Sequence, residues 1–466
     1  MESLKNHRQF LLGLVMLWAL FFLGHSWEDG LKMDAMIESA IAKHLLSQSD
    51  WSVLHFAPQS YPHGFYDHPP FLAWVEALFF KVFGASDSVA RIPPALFALG
   101  TLTGVFAWGV LTGNVRRGLL AVFILLTSNR YIKFASDVLL EGPLCFFLIW
   151  SAVFFQLALK KEGQFAWRDS LLMGFCLGGA FLTKSIFVVL LPTAIGLSLL
   201  IKREQWAKSS KVALISLAGF LSIVGLWVLL GKGWPFIQAH FQMLSGRAQK
   251  REWTNVFIPF KNICSTYWPW LPLFVWGVVR NVKLFKKSSI GDWLAISLSL
   301  VVFCVFSLGN QIWEHYLILF LPSAAVVTSQ TLDSILNKRF ESFEKCVLGL
   351  SILVSLLLAI CPIRIRRERN EPLKTTLMEV EAICSGQKEI VITQKAMPEW
   401  MAIAIVSWKT SYAGISTSSP DVISKPGQLL ITEVSETPPQ DWVRVPLARS
   451  KLSVFQPRSQ TYCQNF

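Results

Sequence analysis

The sequence is poor in charged residues, and this scarcity sets its class. Asp, Glu, Lys and Arg make up 16% of the 466 residues, whereas soluble domains carry about 25%. Hydrophobic residues make up 53%, and the mean hydropathy is +0.46. So little charge excludes an ordinary soluble chain, because most of its surface would have no polar groups to meet water. We expect a protein that exposes much of its surface to lipid.

The sequence also lacks a Cys-x-x-Cys pair, internal repeats and low-complexity segments. Without closely spaced cysteines, a structural zinc site is not expected. The net charge is +13, but no nucleic-acid recognition motif accompanies it. The basic residues lie in short clusters between apolar runs, as they do in loops at the anionic cytoplasmic face of a membrane. We therefore expect membrane lipids, and no nucleic acid, as partners.

Eleven apolar runs predict membrane spans, since a span needs about twenty apolar residues. They cover residues 9–26, 88–112, 116–131, 141–159, 169–183, 186–201, 212–231, 258–280, 291–308, 316–332 and 345–362. The first run lacks the small residues of a cleavage site, so we interpret it as a retained helix and not as a signal peptide. The predicted fold class is mainly α, a polytopic helical bundle of about eleven spans.

Residues 70–83 are also apolar but short, and they contain Glu76 and Lys81. If they crossed the membrane, Arg116 and Arg117 and every later basic loop would face the wrong side under the positive-inside rule. We therefore predict an interfacial amphipathic helix there. A second interfacial helix is predicted near 33–46. Residues 27–87, 131–141 and 232–257 then face outward.

The composition becomes polar after about residue 362, which predicts two domains. Residues 1–362 form a transmembrane module, and residues 363–466 form a small α/β domain on the outer, periplasmic face. Strands are predicted at Glu389–Thr393, Leu429–Val434 and Lys451–Phe455, and helices at Leu373–Ala382 and Met397–Val406. An oxidising compartment leaves Cys384 and Cys463 free to pair, and the sequence leaves that pairing open.

Charged residues beside lipid are costly and therefore informative, although each has a plain alternative explanation here. Asp34 begins the first interfacial helix, where an acid also complements the helix dipole. Asp137 and Glu141 lie at the second outward turn, where either could cap the following helix. Lys184 stands between two apolar runs, where a lysine could extend to the interface as an anchor.

The order of these residues resembles a known family. Asp34 is followed by His68-Pro69-Pro70, Trp74, Phe83-Gly84 and Ala90-Arg91-Ile92-Pro93, then by Leu140-Glu141-Gly142-Pro143-Leu144 and Leu182-Thr183-Lys184. Over residues 1–200 this resembles the bacterial relatives of protein O-mannosyltransferases and lipid A aminoarabinose transferases, in the GT-C glycosyltransferase superfamily. Tyr316 resembles a tyrosine that precedes a late span in the same family. Ala35, Glu38, His68 and Glu141 depart from the family's usual Glu, Tyr, Lys and Asp.

The resemblance implies a membrane enzyme that transfers a sugar from a polyprenyl-phosphate donor. Asp34 is the expected catalytic base, with Glu141 as a second catalytic carboxylate. The expected contacts to the donor phosphate are Lys184, His68, Tyr316 and two basic residues of the third outward stretch, Arg247 and Arg251. Asp137 and Arg91 have supporting roles.

Several alternatives stay open. Asp34 and Glu141 could share a divalent metal, so that the cofactor is uncertain. The acceptor is a lipid such as lipid A, a protein hydroxyl or a surface glycan. The same charges also suit a transporter or flippase for a lipid-linked sugar, or a catalytically silent relative.

Overall fold

The structure is a computed structural model that describes residues 7–24, 31, 33–58, 64–160, 164–230, 233–248, 257–307, 314–360, 371–384, 389–393, 399–410, 413–417, 428–433, 441–447 and 452–458. The chain forms two compact units. Unit 1 comprises Met1–Trp27, Tyr66–Leu72 and Arg91–Ile365, and unit 2 comprises Glu28–Phe65, Ala73–Ala90 and Arg366–Phe466. The segments predicted to be interfacial therefore group mostly with the polar tail.

The helices follow one another along the chain as α1 (Arg8–Trp18), α2 (Met33–Leu45), α3 (Phe71–Phe83), α4 (Asp87–Ala90), α5 (Ile92–Thr112), α6 (Val115–Leu126), α7 (Asn129–Ala135), α8 (Glu141–Lys160), α9 (Gln164–Lys184) and α10 (Leu190–Ile201). They continue as α11 (Trp206–Leu230), α12 (Gly233–Ala248), α13 (Phe257–Thr266), α14 (Leu271–Lys283), α15 (Ile290–Ser307), α16 (Leu321–Leu336), α17 (Phe340–Ile360), α18 (Glu371–Ile383) and α19 (Glu399–Lys409). The π-helical segment Ala19–Gly24 extends α1, and 3₁₀ segments Ser185–Val189 and Glu314–Leu319 precede α10 and α16.

A helix covers most of each predicted span, but the count of eleven is not confirmed. Within the described residues, five helices are long and apolar enough to cross a membrane, or six if α6 and α7 form one broken span with a 73° bend. The five are Asp87–Thr112, Glu141–Lys160, Ala166–Ile201, Arg203–Leu230 and Ile290–Ser307. The predicted spans at 169–183 and 186–201 fall within one of them. The predicted span at 258–280 is divided between α13 and α14.

The lipid-facing side of unit 1 is visible on α11. Leu214, Leu217 and Leu221 are three and four residues apart, so they share one helix face, and each is more than half exposed. The opposite face packs tightly on α9, since a side chain at Gly174 would meet the Ser216 carbonyl oxygen and the Cα atom of Gly219. Small residues that let two helices approach closely are typical of packing inside membranes.

Two charges are buried in unit 1 as a pair. Arg117, at the start of α6, donates to the Asp292 carboxylate at 2.6 Å and to the Val326 carbonyl oxygen at 3.3 Å. Both side chains of the ion pair are 5% exposed. Arg117 was predicted to belong to a cytoplasmic basic loop, and the structure shows that its side chain links α6, α15 and α16. Burial of a cation requires such a partner.

Unit 2 contains a five-stranded sheet. Its strands are β1 (Glu389–Thr393), β2 (Ala413–Thr417), β3 (Gln428–Glu433), β4 (Trp442–Val445) and β5 (Leu452–Pro457), in the order β2-β1-β3-β5-β4. β1 pairs in parallel with β2 and β3, whereas β5 pairs antiparallel with β3 and β4. The three predicted strands and two predicted helices are present; β2 and β4 were not predicted.

Polar contacts join α2 and the residues before it to the tail within unit 2. Lys43, near the end of α2, donates to the carbonyl oxygens of Trp408 and Thr410 at 3.0 Å each, and so caps the end of α19. Lys374 of α18 donates to the Leu31 carbonyl oxygen, three residues before Asp34. The helix that begins near Asp34 is therefore held at both ends by the tail.

Cys384 is buried at the end of α18 and is disulfide-bonded. Its partner lies outside the described residues, so the pairing with Cys463 stays a prediction. The described cysteines of unit 1, which are Cys145, Cys176, Cys264, Cys304 and Cys346, are free thiols.

Candidate functional site

The candidate site in unit 1 is built around Glu141, the first residue of α8. Its side chain is 2% exposed. A carboxylate in the first helical turn lies close to unpaired backbone N–H groups and to the positive end of the helix dipole, which both favour its charged form. Burial still requires a cation, and the structure provides one from another helix.

That cation is Lys184, the last residue of α9. Its ammonium donates a hydrogen bond to the Glu141 carboxylate. The same nitrogen lies 3.9 Å from the centroid of the Tyr316 ring and 5.1 Å from that of Phe187. A cation over aromatic faces is attracted by their electron-rich π systems. Lys184 is therefore held from two sides, by a carboxylate and by aromatic rings.

The 3₁₀ segment before α16 supplies the third side of the cluster. His315 places Nε2 3.8 Å from the Glu141 carboxylate oxygen, and its ring meets the Tyr316 ring edge-on at a centroid distance of 4.6 Å. The structure thus brings together Glu141, Lys184 and Tyr316, all of which were singled out from the sequence. His315 was not.

Two further basic residues that the sequence reasoning missed lie beside this segment. Arg130 forms a bidentate ion pair with Glu314, and the Lys133 ammonium lies 3.7 Å from the same carboxylate. Both basic residues belong to α7. Lys133 lies in the turn at 131–141 that was predicted to face outward, and Arg130 lies at the end of the predicted span 116–131. Basic residues on an outward loop run against the positive-inside preference, and that contradiction was the available signal.

The other predicted site residues of unit 1 lie as follows. His68 is buried, with Nδ1 3.4 Å from the Pro69 carbonyl oxygen. Arg91 is buried at the start of α5. Asp137 is buried, and its carboxylate accepts a hydrogen bond from the Val138 N–H. Arg247 belongs to α12 but its side chain is outside the described part of the chain, as is all of Arg251.

Asp34 belongs to unit 2, where it lies exposed in the first turn of α2. The next turn of α2 carries Glu38 and Ser39, both buried. The Ser39 hydroxyl donates to the Glu76 carboxyl at 3.0 Å. Burial, and next the Glu38 carboxylate, raise the pKa of Glu76 well above its ordinary value. Glu76 is therefore held protonated over a pH range in which an exposed glutamate is charged.

His44 lies on the same helix as Asp34 and is half-buried. Burial, and then the positive charge of Lys43, lower the pKa of His44 to about 4. It is neutral near pH 7, so the end of α2 carries one cation, Lys43, and that cation is bound to backbone oxygens of the tail.

Unit 1 also contains an apolar cavity of about 570 Å³ between α8, α9, α10 and α11. Its wall includes Phe155, Leu177, Val188, Ile195 and Phe220. Val188 lies four residues after Lys184, so part of the cavity wall is close in sequence to the candidate site. Its lining is mostly apolar and is therefore chemically compatible with a hydrocarbon chain.

No group of three or more His, Cys, Asp or Glu side chains that could hold a metal ion occurs among the described residues. At Glu141, the immediate neighbours are the Lys184 ammonium and the His315 imidazole. The observed geometry therefore supplies cations from side chains.

The chain is similar to several known proteins. The family model for dolichyl-phosphate-mannose-protein mannosyltransferase matches residues 67–228. The undecaprenyl phosphate-alpha-4-amino-4-deoxy-L-arabinose arabinosyl transferase of Edwardsiella ictaluri (strain 93-146) is 24% identical over 341 residues, which are 69% of this chain and 60% of that protein. The matches span 55% and 60% of the length of the first curated relatives.

Solved structures agree on the fold. ArnT from Cupriavidus metallidurans bound to undecaprenyl phosphate matches with a TM-score of 0.73 and 14% identity, over 96% of this chain and 97% of that one. The oligosaccharyltransferase AglB from Archaeoglobus fulgidus, in complex with an inhibitory peptide and a dolichol-phosphate, matches with a TM-score of 0.58 and 11% identity, over 91% of this chain and 69% of that one.

The sequence matches and the structural matches agree with each other. The family model covers the motifs from His68 to Lys184, and the ArnT fold extends over nearly the whole chain. The predicted resemblance to the GT-C glycosyltransferases, and within them to ArnT and the protein mannosyltransferase relatives, is confirmed.

Proposed function

We propose that this protein transfers a sugar from a polyprenyl-phosphate-linked donor to an acceptor at the outer face of a cytoplasmic membrane. The observation that carries the proposal is the position of Lys184, a nearly buried cation between Glu141 and Tyr316 at the end of a long apolar helix. A lipid phosphate needs a cation for its head group and an apolar surface for its tail. Lys184 and the apolar cavity of unit 1 are the features that support such a ligand.

Lys184 suits phosphate binding because Glu141 uses only part of its capacity. An ammonium group has three donors, and the carboxylate accepts one of them. The lysine side chain is 15% exposed and the glutamate 2% exposed, so the cation is the partner that a ligand can reach. Glu141 then acts as a positioning residue that orients the lysine.

Two basic residues of α7 add positive charge near Lys184's cluster with Glu141, His315 and Tyr316. Arg130 and Lys133 both contact the carboxylate of Glu314, so two basic side chains lie beside the 3₁₀ segment that carries His315 and Tyr316. The leaving group is a lipid phosphate on which negative charge develops as the bond to the sugar breaks. Fixed cations near that position stabilise the transition state more than the ground state.

Asp34 is the proposed base. The acceptor's oxygen forms a bond to the anomeric carbon, the bond from that carbon to the phosphate oxygen breaks, and the bonding electrons leave with the polyprenyl phosphate. The acceptor's proton passes to the Asp34 carboxylate. Asp34 is exposed at the start of α2, which makes it accessible, and the tail contacts of Lys374 and Lys43 support that helix.

The relatives favour this donor class. The arabinosyl transferase of Edwardsiella ictaluri is named for undecaprenyl phosphate-linked aminoarabinose, and the ArnT and AglB structures contain undecaprenyl phosphate and dolichol-phosphate. We propose a polyprenyl phosphate as the carrier here. The acceptor is a lipid such as lipid A, a protein hydroxyl or a surface glycan.

The test uses the purified protein in nanodiscs with radiolabelled undecaprenyl-phosphate sugars and the three acceptor classes. Transfer of label to an acceptor, or release of free sugar, supports the enzyme. Movement of label between vesicles without transfer would support the flippase instead. Binding without any reaction would identify a catalytically silent relative. Parallel reactions with EDTA and with added divalent ions test the alternative in which Asp34 and Glu141 share a metal.

A further inference from the structure

His240 forms a bridge that the proposed chemistry does not use. It lies on α12 and is 4% exposed. Its Nε2 atom lies 2.5 Å from the Ser185 hydroxyl, which is also buried, and its Nδ1 atom lies 2.8 Å from the Tyr66 carbonyl oxygen. The Phe236 ring stacks on the imidazole at a centroid distance of 5.5 Å. The imidazole therefore has a fixed position and a polar partner at each nitrogen.

The partners determine the direction of the hydrogen bonds. A carbonyl oxygen can only accept, so Nδ1 carries the hydrogen that Tyr66 receives. In the neutral imidazole, Nε2 is then an acceptor and the Ser185 hydroxyl donates to it. His240 therefore joins a backbone group on one side to a hydroxyl on the other. The opposite tautomer would lose the bond to Tyr66, because two acceptors would then face each other.

The three segments that meet at His240 are distant in sequence. His240 is 174 residues from Tyr66 and 55 residues from Ser185. Tyr66 precedes His68 by two positions, Ser185 directly follows Lys184, and Arg247 lies about two turns further along α12. Each segment carries a residue expected to contact the donor phosphate.

The backbone at Lys184 shows why a bridge is needed there. Lys184 has φ −151° and ψ 58°, which are outside the helical range, and the chain continues as a 3₁₀ segment. The regular hydrogen-bond ladder of α9 therefore does not set the direction of the chain after Lys184. The first residue after this break, Ser185, is the one that contacts His240.

We propose that His240 is a positioning residue for the donor phosphate: it holds the Lys184, His68 and α12 segments in the arrangement that receives a polyprenyl phosphate. This inference rests on the proposed function. It assigns His240 no contact with the sugar and no proton transfer. Its loss should weaken binding of the lipid phosphate and leave use of the acceptor unchanged.

The experiment measures binding of radiolabelled undecaprenyl phosphate to the full chain in nanodiscs. His240→Phe keeps an aromatic ring against Phe236 but removes both hydrogen bonds, and we expect about a tenfold weaker affinity, given the usual value of buried hydrogen bonds. His240→Asn can still donate to Tyr66 and should lie between His240→Phe and wild type. Gln242→Ala, an exposed change on the same helix, is the matched control and should bind as wild type does.

Transfer kinetics separate positioning from general folding damage. For His240→Asn we expect KM for the donor to rise severalfold, with KM for the acceptor unchanged. Equal losses for donor and acceptor would overturn the inference, as would wild-type affinity of His240→Phe for undecaprenyl phosphate. If His240→Phe does not fold, Ser185→Ala is the deciding variant, because it removes only one hydroxyl from the bridge. Weaker binding of undecaprenyl phosphate by Ser185→Ala supports the bridge, and unchanged binding rejects it.

The outcome also distinguishes this inference from the proposed function. Wild-type protein that binds no polyprenyl phosphate would reject both. Wild-type protein that binds undecaprenyl phosphate, together with His240 and Ser185 variants that bind it equally well, would reject the bridge alone.

Discussion

Removal of the Lys184 charge should affect stability and activity by separate routes. Lys184→Met keeps most of the side-chain volume but leaves the Glu141 carboxylate, 2% exposed, without its main partner. Removing one member of a buried ion pair costs about 3–5 kcal/mol, because the remaining charge stays desolvated. His315, with Nε2 at 3.8 Å from that carboxylate, offsets part of this cost when protonated, so we expect the lower end of the range.

The double variant Lys184→Met with Glu141→Gln removes both charges while keeping their shapes. Replacing a whole buried pair by neutral groups is often neutral or stabilising, so the double variant should recover most of the free energy of unfolding. It should not recover transfer, because the cation expected to bind the donor phosphate is still absent. Glu141→Gln alone should keep partial activity, because Lys184 retains its charge and its contact with Tyr316.

The assay pairs denaturant titration in mixed micelles, which measures the free energy of unfolding, with donor binding and transfer in nanodiscs. Arg116→Met is a suitable control, since Arg116 also forms an ion pair, with Asp333, that lies outside the candidate site. A double variant with both stability and transfer restored would refute the phosphate role of Lys184. A Lys184→Met variant as stable as wild type would refute the buried pair itself.

The remaining predictions concern both units. Asp34→Asn should reduce transfer by roughly 100-fold or more at unchanged expression, since an amide cannot accept the proton; activity above about a tenth of wild type would remove Asp34 from the base role. His68→Lys, which restores the residue of the related family, should keep or raise activity, and an inactive but folded variant would contradict a phosphate contact at this position. Because folding raises the pKa of Glu76 above its ordinary 4.5, wild-type stability should fall as pH rises above that value, by up to about 1.4 kcal/mol per pH unit. Glu76→Gln should remove this loss of stability. Thermal unfolding of both proteins at several pH values from 5 to 8 measures the effect, and equal pH dependence of wild type and variant would show that Glu76 is ionised throughout. Alkylation of intact cells with a membrane-impermeant maleimide should label Cys384 and Cys463 only after reduction; labelling that requires breaching the membrane would overturn the outer location of the tail.

Several of the candidate site residues can be picked out from the sequence, because their signals are local. Asp34, Glu141 and Lys184 each place a charge beside an apolar run, where a charge is costly and needs a reason. The strand patterns at Glu389–Thr393 and Leu429–Val434 correspond closely to β1 and β3. The short strand β4 was missed because four residues carry too little alternation to distinguish a strand from a loop.

The contacts of the site could not be predicted in this way, because they join residues that are far apart in sequence. His315 has no distinguishing local pattern, and its relevance depends on the packing of the 3₁₀ segment against α8. The same holds for His240, whose two partners come from segments on either side of α5. The periodicity of a single segment does not predict a contact between residues that are far apart in sequence.

The sequence by itself thus determined that this protein is helical and lipid-exposed, since composition and apolar run length depend only on which residues are present. It also determined where the informative charges stand along the chain. Only the tertiary structure decided that Glu141 binds Lys184 and that Arg117 is buried with Asp292. A charge buried in a low-dielectric interior must find a partner, and which partner it finds depends on how the helices pack.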